Sequence, residues 1–124
     1  MFKIENQYSD DDMIQFIDEL NLINKEQAIF PHQLNKIFPD IQAFSNLEKI
    51  KEVFITVYTF FHLHEIYNAM EIENYEMADV IKNTKSILRN IFLNYITSNY
   101  KESEKVINLF LDDSIIFIEE KKYN

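Results

Sequence analysis

His62, His64 and Glu65 are the residues of this chain whose types and closeness most invite chemistry, because imidazole and carboxylate are common metal ligands. On a helix, side chains two apart point to nearly opposite sides, so His62 and His64 cannot grip one ion. His62 and Glu65, three apart, can face a single cation. Two ligands fall short of the three or four that zinc takes. A di-iron bundle needs carboxylates from several helices and Glu-x-x-His pairs from two of them. Here the order is reversed and occurs once. No metal or other cofactor is expected, and the two histidines read as helix-surface or core-edge residues.

Covalent catalysis has no foothold either. The chain has no Cys, its serines fall mostly at expected helix starts, and His32 sits between Pro31 and Pro39 without an identifiable partner. A helical nuclease of the type with His shortly after Arg would need a His soon after Arg89, and none follows. The absence of Gly removes every Gly-rich phosphate loop, whether for a nucleotide or a dinucleotide. The 21 acids make paired carboxylates abundant, but abundance is not geometry. The chain reads as a protein that is not an enzyme.

What the charged residues do show is segregation. Residues 1–24 hold one Lys against six acids, and residues 25–51 hold four Lys against three acids. Residues 52–79 carry six acids and no Lys or Arg, residues 80–101 carry three Lys and one Arg with no acid, and residues 102–124 carry three Lys against six acids. The net charge is −9. Two readings follow. In one, Lys82, Lys85 and Arg89 pair with acids of the same body, at about 0.2–1 kcal/mol per exposed pair. In the other, Asp10, Asp11, Asp12, Glu65, Glu71, Glu73, Glu76 and Asp79 form a negative surface for a basic partner, where complementary fields speed encounter.

The elements that must carry these groups read as helices. Ser45 with Glu48 has capping-box spacing, and Ile50, Val53, Phe54, Val57, Phe60, Phe61, Tyr67 and Met70 follow at steps mostly of three and four. The run VFITVYTFF within Ser45–Met70 is apolar nearly all round, which predicts a helix buried on most sides. A strand is the rival for this composition, but no turn signal bounds the run within strand length. Ser9 and three aspartates open a helix predicted to end near Asn21, its buried stripe being Met13, Phe16, Ile17 and Leu20. Pro31 and Pro39 predict two short pieces, Lys25–Phe30 and one near His32–Phe38, then a turn through Asp40–Phe44. A helix starting at Glu73 or Asn74 carries Met77, Val80, Ile81, Thr84, Ile87, Leu88, Ile91, Tyr95 and Ile96, with Lys82, Lys85 and Arg89 expected on its polar face. A last helix is expected from Asn99. Its Asp113–Glu119 stretch has strand-like composition but is read as helix, and Glu119–Asn124 is expected to fray.

The expectation is therefore an all-α fold, one domain over residues 1–124, a small antiparallel bundle of five or six helices around Ile50–Met70 with Met77–Ile96 as its main partner. No run approaches the ~18 apolar residues of a membrane span, and MFKIENQYSDDD lacks the apolar core of a secretory signal, so the protein is expected in the cytoplasm. The expected function is protein–protein contact, as a stoichiometric inhibitor of a basic, nucleic-acid-handling partner of toxin or nuclease type. Immunity proteins, antitoxins and phage inhibitors of host defence nucleases, anti-CRISPR proteins among them, share this size and charge habit. The alternatives are a homodimeric structural or regulatory adaptor, using Phe54, Tyr58, Phe61 and Tyr67, and a DNA-binding regulator, using Lys82, Lys85 and Arg89. Neither a membrane nor direct contact with nucleic acid is expected under the leading reading.

Overall fold

The computed structural model of the chain describes residues 10–26 and 46–122. These form four helices: α1 (Asp10–Glu26), α2 (Leu47–Met70), α3 (Tyr75–Asn99) and α4 (Glu104–Glu120). There is no strand among the described residues, and Asp113–Glu119 is helical. None of these helices is long and apolar enough to cross a membrane.

Four helices among the described residues do not match the expected five or six. Lys25 and Glu26 belong to α1, which runs past Asn21 because Ile23 extends the buried stripe of Met13, Phe16, Ile17 and Leu20. The remainder of the expected piece at Lys25–Phe30, the piece near His32–Phe38, the kink at Pro31 and the turn at Asp40–Phe44 lie outside the described residues.

The caps follow local hydrogen-bond chemistry. Asn46 caps α2, its side chain accepting the Glu48 N–H at 2.8 Å; Ser45, the expected cap, lies outside the described residues. Asn74 caps α3 as expected, accepting the Met77 N–H at 3.2 Å. Asn99 does not open the last helix. Its side-chain amide donates back to the Tyr95 carbonyl at 2.8 Å and closes α3, and Ser103 caps α4 instead. α4 then holds through Glu119 to Glu120, past the point where fraying was expected.

Among the described helices the common neighbour is α3, not α2. α3 packs against all three other described helices, whereas α2 meets only α3 and α4, and α1 meets only α3. This is why the buried side of α3 is broad, with Ile81, Lys85, Leu88, Ile91, Phe92, Tyr95 and Ile96 all inside. The expected main pair, α2 with α3, is present. Phe54 lies against Phe92, ring centroids 5.3 Å apart, while His62 meets Lys85, so the two helices run antiparallel. Lys51 sits over Phe110 and Tyr58 reaches Glu119, so α4 runs parallel to α2. One hydrophobic cluster joins residues of all four helices. Each large side chain fully buried there, such as Phe54 or Phe92, contributes about 1.5–3 kcal/mol.

α2 is less enclosed than its composition suggests. Ile50, Val53, Phe54, Val57 and Phe61 are buried, but Ile55, Leu63, Tyr67 and Met70 face outward. Lack of charge does not dictate burial, because much of any folded surface is apolar. Phe54, Tyr58 and Phe61 are inside, so three of the four side chains of the adaptor reading are not on a surface that a second copy could meet.

Candidate functional site

Four of the eight candidate acids lie at the α2–α3 junction, Glu71 and Glu73 in the link and Glu76 and Asp79 in the first turns of α3. Glu71, Glu73, Glu76 and Asp79 are all exposed, and among the described residues no ion pair closes on them. Among them stand large apolar side chains that also face solvent: Tyr67, Ile72, Tyr75 (62% exposed) and Met70 (74% exposed). The turn is closed by the Ile72 N–H donating to the Tyr67 carbonyl at 3.2 Å and the Asn74 N–H donating to the Asn68 carbonyl at 2.7 Å.

Closing the chain that tightly requires a left-handed residue, and Glu73 supplies it with φ 52°. Gly is the usual occupant because it has no Cβ to clash with the following carbonyl, but this chain has none. A β-carbon there costs roughly 1–2 kcal/mol, partly offset because Gly would lose about 0.5–1 kcal/mol more backbone entropy on folding. Glu73→Gly is therefore expected to stabilise the protein by about 0.5–1 kcal/mol. Chemical denaturation checks this; an unchanged or lower midpoint contradicts it.

The second gathering is internal and surrounds Lys85. Its side chain is on the buried side of α3, only 4% exposed, not on the polar face where it was expected. Lys85 Nζ lies 2.9 Å from Glu119 Oε1, 3.1 Å from Glu65 Oε1 and 3.1 Å from His62 Nδ1. The Glu65 oxygen is within ion-pair distance but out of line for a hydrogen bond. The Tyr58 hydroxyl donates to the same Glu119 oxygen at 2.6 Å, and its ring lies 5.3 Å from the ammonium. A recess of about 340 Å³ opens here, lined by these five side chains with Lys82 and Ser86.

This cluster resolves the histidine question. His62 and Glu65 do face one cation together, and it is the ammonium of Lys85. His64 points elsewhere, its ring 4.4 Å from that of Phe60. No group of three or more His, Asp or Glu side chains able to hold a metal occurs among the described residues. Burial, then the adjacent ammonium, push the His62 pKa below the ordinary histidine value. For Glu119, burial works against the charged form, but hydrogen bonds from Tyr58 and Lys85 outweigh it and hold the carboxyl below its usual range. Burial and the bond to Glu119 drive the Tyr58 phenol far up.

No family model, curated protein or solved structure matches the chain. Function must therefore be argued from the arrangement of these residues alone.

Of the eight candidates, Glu71, Glu73, Glu76 and Asp79 are exposed along the α2–α3 link and the start of α3, and Glu65 is turned inward, half-buried against Lys85. Asp10, Asp11 and Asp12 open α1, which packs on α3 alone, and Asp11 is exposed. Pairing within the body accounts for Glu65 and Glu119, whereas Glu71, Glu73, Glu76 and Asp79 stay exposed. Lys85 is held by Glu65 and Glu119, while Arg89 donates to Asp112 at 2.9 Å and to Asn108 at 2.8 Å, tying α3 to α4. Two of the three cations of the DNA-binding reading are therefore paired within the bundle, Lys85 buried and Arg89 half-buried; Lys82 is exposed.

Pairing of Lys85 with acids of the same body was one of the two expectations, but on the polar face of α3, and neither Tyr58 nor Glu119 was expected beside it. The signal was present for Lys85. It stands four residues after Ile81 and three before Leu88, on the same face of the helix as both.

Proposed function

We propose that this is a small cytoplasmic protein that acts by protein–protein contact, with the acidic α2–α3 turn as the surface that engages a basic, nucleic-acid-handling partner and blocks it stoichiometrically. The observation that carries this reading is the mixture at the turn. Tyr67, Met70, Ile72 and Tyr75 are exposed among Glu71, Glu73, Glu76 and Asp79, with no Lys or Arg in the sequence from Glu52 to Asp79. Tyr and Met are enriched where proteins meet, and apolar anchors with a charged surround supply both affinity and orientation. The unpaired acids supply a field that a cationic groove of nucleic-acid-binding type would complement.

The reading is tested by isolating the partner from the source cell with the tagged protein and measuring its affinity for wild type and for variants of the turn. A basic partner in a one-to-one complex, weakened by salt and by loss of the four acids, supports it. A partner insensitive to both overturns it.

A further inference from the structure

Lys85 can only donate. Its ammonium has N–H bonds and no lone pair, so with Nζ 3.1 Å from His62 Nδ1 that ring nitrogen is the acceptor, and the ring proton belongs on Nε2. A proton added to Nδ1 would set two donors, and two cations, against each other. We propose that the His62–Lys85 contact is an acid-sensitive latch that holds the C-terminal half of α4 against the α2–α3 hairpin.

The ionisable groups that line the contact among the described residues bear on this. α2 contributes Tyr58, His62 and Glu65, α3 contributes Lys82 and Lys85, and α4 contributes Glu119. α1 packs on neither α2 nor α4 among the described residues. The two carboxylates already share the Lys85 ammonium, Glu119 at 2.9 Å and Glu65 at 3.1 Å. A protonated His62 must compete with Lys85 for them, while Lys82 at the rim adds a further positive charge. Among the described residues, Glu119 is the one acid that carries the tie into α4 at this end. Beyond it, α4 is held here chiefly by Ile118 and the half-buried Ile115, since Ile116 and Phe117 face solvent. Withdrawing the ammonium therefore loosens the last turns of α4 while the core around Ile91, Phe92 and Tyr95 keeps its apolar contacts.

The sign follows from the direction of each shift. The unfolded chain takes up a His62 proton near pH 6.5, and the folded protein resists it to lower pH. The latch is at full strength above about 6.5 and weakens as pH falls below it. Glu119, held below its ordinary value of 4.5, adds a separate loss of the same sign only as pH falls below that value.

The test is an NMR titration of the histidine ring signals with amide hydrogen exchange at pH 7.5, 6.0 and 5.0, corrected for intrinsic rates. The expected result is a His62 midpoint below 6.5, with protection at residues 115–119 falling at least tenfold across that midpoint and protection at 91–96 unchanged. His62→Gln, which offers Lys85 an acceptor that does not titrate, should abolish the step. A His62 midpoint at or above 6.5, unchanged protection in α4, or the same step in His62→Gln overturns the proposal. If the variant fails to fold, the wild-type midpoint and protection decide alone.

Discussion

Reversing Glu73, Glu76 and Asp79 to Lys together is expected to weaken binding of the basic partner by about 100-fold or more and to leave the fold intact. Under the proposed function, each reversal removes an attraction to the partner and adds a repulsion. At about 1 kcal/mol each, three such changes give ~3 kcal/mol, which is roughly a hundredfold in Kd. The net charge moves from −9 to −3, so the loss should appear in the association rate first and shrink at high salt. All three side chains are exposed, so stability should change little. Glu76 is the exception, since it lies in the first turn of α3, where a cation opposes the helix dipole by about 0.3–1 kcal/mol. A thermal melt of the triple variant separates loss of binding from loss of fold. Glu73→Gly gives a sharper contrast, because the same change should raise stability and lower affinity, a combination that damage to the fold cannot produce.

Lys85→Met is expected to destabilise the protein by about 3 kcal/mol, close to the lower end for breaking a buried ion pair. Met fills much of the space of the lysine stem but leaves Glu65 and Glu119 facing each other without a cation. The lower end applies because the Glu119 side chain is 41% exposed and can turn toward water. The midpoint of thermal unfolding should fall by roughly 10 °C for a chain of this size. Adding Glu65→Gln and Glu119→Gln to Lys85→Met should recover most of the loss, because what costs stability is the stranded charge. A Lys85→Met variant as stable as wild type would mean that the cluster contributes nothing to holding α2, α3 and α4 together.

The helices were legible because their signals are local. Steps of three and four at Ile81, Thr84, Leu88, Ile91 and Tyr95, and Asn74 placed to cap them, are readable one turn at a time. The centre of the bundle was not legible, because apolar content along α2 says nothing about which neighbours cover it. Ile55, Leu63, Tyr67 and Met70 are as apolar as Phe54 and Phe61 and lie outside. Lys85 was assigned to a polar face by residue type, although its position on the ladder with Ile81 and Leu88 places it inside. Its partners Tyr58 and Glu119 are 27 and 34 residues away along the chain, and only the packing of three helices brings them to one nitrogen. The acids of the turn were singled out by charge alone. Their apolar companions and the left-handed Glu73 emerged from the turn geometry, which a chain without Gly leaves unmarked.

Calorimetric titration of the isolated partner with wild type and with the Glu73, Glu76 and Asp79 reversal variant, at low and at high salt, tests the central claim most directly. One-to-one binding by wild type that weakens steeply with salt, and loses about 100-fold or more in the folded variant, is the predicted result. Equal affinity for both proteins at both salt concentrations would contradict it.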